Sequence, residues 1–211
     1  MTVRPERIVV ELLSDTTFGR GEATPGEVDV EVEHDAYGLP MLGGKALRGL
    51  LRDSWLSMQQ CFPELQAAGR RVFGPHADLE ETAILRIGDA TIEESARAFF
   101  IWATQRQHQR IAPKMILAAL TDVRAQTSED RATGAPARRT LRSTRVVLRG
   151  LKLEAPLLWS SGTGPDDIRC LALVALATRH GGLARNRGRG HLRITLDGHL
   201  ERTRALARGA L

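Results

Sequence analysis

The spacing of apolar residues changes several times along the 211-residue chain, and each change marks a different element. Residues 7–14, RIVVELLS, have the short β-branched pattern of a strand and run into a Gly/Thr/Pro loop, DTTFGRGEATPGE. At 28–34 the period is two: Val28, Val30 and Val32 alternate with Asp29, Glu31 and Glu33, which predicts a half-buried strand or hairpin arm with one acidic face. After the turn AYGLPMLGG the period lengthens, and Leu47, Leu50, Leu51, Trp55 and Met58 predict a helix over 45–62. Lys45, Arg48 and Arg52 fall on or near its other face. A loop, VFGPHADLEET, precedes a strand-like alternation over 83–92. The stretch from about 93 to 144 is the least regular and most polar. It opens like a helix, continues through KMILAALTDVRAQ and ends in TSEDRATGAPARRTLRSTR, an exposed loop or hairpin arm. Strand character returns over 146–159, and an apolar helix over 166–180 has Asp166 and Asp167 at its N-terminal dipole. HLRITLDG, 191–198, is a last strand before a short helix or frayed end.

Strand, helix, strands, insertion, strand, helix, strand is a split βαβ order. It predicts an α+β fold, an antiparallel sheet backed by two helices, in a single elaborated domain over residues 1–211 with an insertion at about 93–144. The longest apolar run, CLALVALA at 170–177, is far too short to span a bilayer, and MTVRPERIVV lacks the apolar core of a secretory signal. A soluble cytoplasmic protein with no membrane partner is expected. Cys61 and Cys170 have no close Cys or His at a zinc-type spacing, so both are expected to be buried thiols.

Charge changes the picture more than composition does. The net value of +5 conceals an asymmetry: residues 1–100 carry 10 basic and 17 acidic groups, residues 101–211 carry 20 basic and 8 acidic. Of the cations 27 are Arg and 3 are Lys, and the planar guanidinium suits bidentate phosphate contacts and stacking on bases. A GC-rich genome would account for the ratio but not for the crowding into one half, so nucleic acid is the natural partner.

GGLARNRGRG, 181–190, interleaves Gly181, Gly182, Gly188 and Gly190 with Arg185, Arg187 and Arg189. Glycines let backbone amides approach phosphate, and the arginines add forked donors. It follows a helix and precedes a strand, the reverse of a dinucleotide fingerprint. GGKALRG fails the Walker spacing but places a Gly-Gly turn at a helix start, a generic anion site if its amides point outward. On the acidic segment Glu31 and Glu33 suit a solvent-facing side, whereas Asp29 and Asp35 lie near loops, where a carboxylate can hold Mg²⁺ beside RNA phosphate or position a 2′-hydroxyl. The histidines, His34 and His180 among them, have no partner at a diagnostic spacing.

Four segments in order, DAYGLPMLGGKALRGLLR (35–52), VFG (72–74) before IGDATI (87–92), DRATGAP (130–136) and GGLARNRGRGHL (181–192), resemble the RAMP superfamily of CRISPR-associated RNA-binding proteins. The resemblance covers nearly the whole chain and is closest to the repeated backbone subunit of type III effector complexes. It implies a ferredoxin-like, RNA-recognition-type core with an inserted thumb-like hairpin, whose copies stack along a guide RNA. Gly43, Gly44, Lys45, Arg48 and Arg52 would then hold guide backbone, with Arg185, Arg187 and Arg189 near it. The thumb would fall around Arg131 to Arg142, bringing Arg131, Arg138 and Arg139 to RNA. Cleaving members carry an Asp a few residues before the segment leading to the Gly-rich turn. Asp29 matches that position, which implies metal-dependent cleavage of complementary target RNA with Asp29 as ligand to Mg²⁺ or another divalent metal. The implied partners are guide RNA, target RNA, other subunits of the complex and further copies of the chain. The family usually has Pro before the glycine of the turn; here Leu42 stands there.

Three other readings use the same residues. One is a noncleaving structural subunit of the same complex. Another is a metal-independent RAMP-type endonuclease with His34 or His180 as general base. The third is a small-molecule enzyme on a ferredoxin-like fold, which hosts many chemistries.

Overall fold

The computed structural model describes residues 4–74, 83–108 and 110–209. The central strand β1 (Arg7–Leu12) pairs antiparallel with β6 (Lys152–Trp159) on one side and β7 (Leu192–Leu196) on the other. The outer edge of β6 is covered by two short antiparallel strands, β2 (Leu85–Ile87) and β3 (Thr91–Ile92), giving the order β2-β6-β1-β7 with β3 beside β2. Helix α1 (Gly44–Met58) lies between β1 and that edge in sequence, and α5 (Pro165–Ala177) between β6 and β7. Strand β6, far along the chain, is thereby inserted between β1 and the strands that follow α1.

Period-two burial explains which face the helices cover. Ile8, Val10 and Leu12, Leu153, Ala155 and Leu157, and Leu192, Ile194 and Leu196 are buried and share one core with Leu47, Leu51 and Trp55 of α1 and Ile168, Leu171 and Val174 of α5. Removing each Leu, Ile or Val side chain of this set from water stabilises the fold by about 1.5–3 kcal/mol. The alternate positions form the open face, where Arg7 pairs with Glu154 at 3.6 Å and Arg193 with Glu11 at 3.2 Å.

The expected strand over 28–34 is not a regular strand. Its residues make isolated bridges, Val28 to Thr24, Val30 to Thr144, Val32 to Gly19 and His34 to Pro40, because each backbone group finds a different partner. The 83–92 strand is two, interrupted at Gly88 and Asp89, and the 146–159 strand is also two: β5 (Arg142–Val147) and β6 are separated by a turn at Arg149 and Gly150. Two further helices pack in the helical layer, α2 (Gln66–Phe73) and α6 (Leu200–Ala207). The tail is therefore ordered: Thr203, Leu206 and Ala207 are buried. Much of the loop expected at 72–82 lies outside the described residues.

Between β3 and β6 the chain forms α3 (Glu94–Gln105), α4 (Pro113–Leu120) and a separate antiparallel hairpin of β4 (Thr121–Gln126) and β5. The free edge of β5 takes up Thr16 and Val30, so the β1–α1 loop and the hairpin form one unit. Cys61 is exposed, contrary to expectation, because it follows the end of α1. Cys170 is buried on α5, and burial pushes its thiol up to about 12. No helix among the described residues is long and apolar enough to cross a membrane.

Candidate nucleic-acid interface

Three alternating carboxylates fasten the β1–α1 loop to the hairpin, and they do so in different ways. Arg145, buried on β5, donates from Nε to Glu31 Oε1 at 2.8 Å and from Nη2 to Glu27 Oε2 at 3.0 Å. Glu31 is only 4% exposed, the opposite of its expected solvent-facing position; besides Arg145 it accepts from the Val32 amide and the Thr24 hydroxyl. Its burial is tolerated because a guanidinium and two further donors replace the lost water. Asp29, between them, is exposed. Its Oδ2 accepts from the Ser143 amide at 2.6 Å and the Ser143 hydroxyl at 3.0 Å. The backbone donor, then the hydroxyl, holds the Asp29 carboxyl below its ordinary range. Asp35, the other loop carboxylate, accepts from the Tyr37 and Leu39 amides and pairs with Arg97 of α3 at 3.3 Å, which makes it a turn-closing group.

The start of α1 is already occupied. Glu33 Oε2 accepts from the Gly43 amide at 3.1 Å and Asp89 Oδ1 from the Gly44 amide at 2.7 Å. These two carboxylates satisfy helix-start donors and complement the dipole, so the Gly-Gly amides do not present an open anion cradle. Gly44 is required by close approach, since a Cβ there would lie 2.3 Å from the Ile87 carbonyl oxygen. Leu42 also has a reason to replace Pro: its N–H donates to the Ala90 carbonyl at 2.9 Å, a bond that Pro cannot make. Of the three helix cations, Arg48 donates to the Phe73 carbonyl at 2.9 Å and ties α1 to α2, while Lys45 is exposed and Arg52 half-buried.

In the Gly/Arg loop the glycines make the turn fit the protein itself. Gly190 has φ +72°, and a Cβ there would meet the Gly181 carbonyl oxygen at 2.1 Å. Its amide donates to the Asp15 carbonyl, and Leu183 donates to Thr17, so the loop is pinned against the β1–α1 loop. The arginines project from that frame: Arg185 and Arg187 are exposed and Arg189 half-exposed. Arg131, Arg138 and Arg139 are exposed near the tip of the hairpin. These six, like Lys45 and Arg52, have no carboxylate partner among the described residues.

Arg189 borders a groove of about 590 Å³ whose other polar walls include Asp15, Arg124 and Arg149. Arg124 pairs with Asp15 at 2.8 Å and also with Asp122. Burial tends to raise the Asp15 carboxyl, but the Arg124 hydrogen bond and the Arg149 amide outweigh it and hold the group below its ordinary value. Sequence reasoning missed Arg124 and Arg149; the Arg-Gly pair at 149–150 repeats the composition of the 187–190 loop and is the signal that was there. It also missed that His180 and His191 are bridge partners with stacked rings, centroids 5.2 Å apart. His34 instead contacts the Asp35 carbonyl through Nδ1.

Among the described residues no group of three or more His, Cys, Asp or Glu side chains is placed to hold a metal ion. Asp29 offers one carboxylate. That donor set fits a Mg²⁺ shared with water and RNA phosphate, and does not fit an ion held by protein alone.

No family model matches the chain, and no curated protein matches it in sequence. Among solved structures it is similar to a chain of a type III-B Cmr-beta complex bound to cognate target RNA, with TM-score 0.69 and 10% identity over 95% of this chain and 99% of that one. It is also similar to a chain of the type III-B Cmr-beta apo state, with TM-score 0.65 and 12% identity over 93% and 98%. What is shared at these identities is the fold.

Proposed function

We propose that this chain is a RAMP-type, guide-RNA-binding backbone subunit of a type III CRISPR effector complex, built on a ferredoxin-like core. The observation that carries the reading is the division of the cations. Arg71, Arg97, Arg145 and Arg193 are paired with the chain's own carboxylates, whereas Lys45, Arg52, Arg131, Arg138, Arg139, Arg185, Arg187 and Arg189 have none among the described residues. Unpaired guanidinium groups on two loops and a helix suit a phosphate backbone read by shape, with sequence supplied by base pairing. The fold shared with chains of type III-B complexes, one of them bound to target RNA, supports the same reading. Arg48 would act through α1–α2 packing, and Gly43 and Gly44 through the shape of the turn.

Within this reading Asp29 is the residue for target cleavage. Bound there, Mg²⁺ would supply charge at the scissile phosphate and activate the attacking oxygen. Asp29 would hold the ion, with its carboxylate oriented by Ser143. Exposed Arg142, next to Ser143 on β5 and close enough to Asp29 to lower its pKa by charge, would bring positive charge to the same RNA backbone. A noncleaving subunit is the second reading, favoured by one observation: Asp29 Oδ2 already accepts two hydrogen bonds.

The chain is to be purified with the products of its neighbouring genes and the RNA that accompanies it sized and sequenced. A discrete population sharing a repeat-derived end is expected. Asp29→Ala is expected to keep that RNA and abolish Mg²⁺-dependent cutting of a complementary strand. Cutting by the variant would remove Asp29 from the site, and cutting that persists in EDTA would move attention to the His180–His191 pair.

A further inference from the structure

Helix α3 directs two large aromatic side chains at solvent. Phe99 and Trp102, three residues apart and so on one face, are 56% and 55% exposed. Their rings lie 5.8 Å apart, and Arg106, one turn further on, stacks its guanidinium 4.6 Å from the centre of the Trp102 ring. The sequence around them is one-sided: the chain has no Asp or Glu between Glu94 and Asp122, and Arg97 in that stretch is already paired with Asp35. Arg106, Arg110 and Lys114 fall in that stretch, all exposed and with no carboxylate partner among the described residues. Gln105, Gln107 and His108 add polar groups.

A partner for this face must offer flat apolar surface and negative charge in alternation. A protein can do so only by surrounding an apolar patch with acids, whereas each unpaired nucleotide carries both a π-face and a phosphate. Duplex RNA hides its base faces, which leaves the single strand. We propose that Phe99 and Trp102 are a stacking platform for unpaired bases of single-stranded RNA, whose phosphates meet Arg106, Arg110 and Lys114. The inference rests on the RNA-binding reading above, but it assigns residues that belong to neither the Gly-Gly turn, the Gly/Arg loop nor the hairpin.

The test titrates the full chain with a short single-stranded oligoadenylate and with duplex RNA of equal length, reading tryptophan emission and the anisotropy of labelled RNA. Trp55 is buried and Trp159 half-buried, so Trp102 is the most exposed of the three tryptophans. Single strands are expected to quench wild-type emission. Trp102→Phe should lose most of that quench and bind within about threefold of wild type, because a stacking ring remains. The Phe99→Ala/Trp102→Ala variant, which alters only exposed positions and whose unfolding midpoint serves as the check on folding, should bind single strands at least about fivefold more weakly with duplex binding unchanged. Unchanged single-strand affinity in the double variant overturns this inference alone. If that result is accompanied by loss of self-association, the face belongs to a protein contact. Failure of the wild-type chain to bind either RNA overturns the broader reading and this one with it.

Discussion

Asp29 and Glu31 are two residues apart on a segment whose alternation made them equivalent, yet one is exposed and the other buried. The difference comes from β5: Arg145 draws Glu31 inward, and Ser143, at the outer end of the same strand, meets Asp29 at the surface. Because its folded-state pKa is depressed, the stabilisation from the Ser143 contact is present above the unfolded aspartate value of about 3.9 and is lost as pH falls below it. Ser143→Ala removes the hydroxyl and leaves the amide, which is the larger cause. The Asp29 carboxyl should therefore rise only part of the way to its ordinary value, as read by carbon-detected NMR titration of the carboxyl resonance. A full return would show that the hydroxyl alone orients the group, and no change would show that it contributes nothing. In wild type and variant alike Asp29 stays ionised at neutral pH, so within the proposed cleavage reading a loss of cutting on Ser143→Ala at pH 7 would report orientation rather than charge.

At the scale of elements, the hairpin and the β1–α1 loop stand or fall together through Arg145. Arg145→Met leaves Glu31 buried without its cation and should cost about 3–5 kcal/mol. Much of that should return in Arg145→Met/Glu31→Leu, where no buried charge is left unpaired and only exposed Glu27 loses its partner. Urea unfolding gives the energies, and hydrogen exchange at β4–β5 amides shows whether the hairpin is what loosens; a cost under about 1 kcal/mol with unchanged exchange would mean that the cluster does not join them. This junction was the part of the molecule least legible in sequence. β1, α1, α5 and β7 announced themselves because each buries one regular stripe, period two or near four, against a single core. The 28–34 segment has the same local period as a strand, but its backbone is divided among separate partners, Thr24, Gly19 and Pro40 nearby and Ser143 and Thr144 more than a hundred residues away, which no local pattern encodes. The start of α1 misled for a related reason. A Gly-Gly turn reads as an anion site, and the carboxylates that fill it, Glu33 and Asp89, come from separate loops. The composition of the Gly/Arg loop did locate unpaired arginines, since solvent-facing charge needs no long-range partner.

Across the whole molecule the charge asymmetry resolves into two populations. The acidic first half spends many of its carboxylates inside the protein: Asp15 on Arg124, Glu27 and Glu31 on Arg145, Glu33 and Asp89 on the helix start, Asp35 on Arg97. The surplus of cations is left to the hairpin, the Gly/Arg loop and the exposed side of α1, where nothing neutralises it among the described residues. If these groups contact phosphate, each releases counterions from a single strand, and the dependence of log K on log salt steepens by about 0.7 per contact. Replacing Arg185, Arg187 and Arg189 together with Gln should therefore flatten the slope for single-stranded RNA by about 2 and weaken binding most at low salt. Replacing Arg131, Arg138 and Arg139 should do the same if the hairpin also touches the backbone. Arg193→Gln is the control, because that side chain already pairs with Glu11 at 3.2 Å on the open sheet face and has no counterion to release. Equal slopes for wild type and both triple variants would show that the free arginines are only solvated charge. An equal flattening by Arg193→Gln would show that net charge, rather than its placement, attracts the RNA. Only a loss confined to the unpaired groups makes the division of cations the basis of recognition.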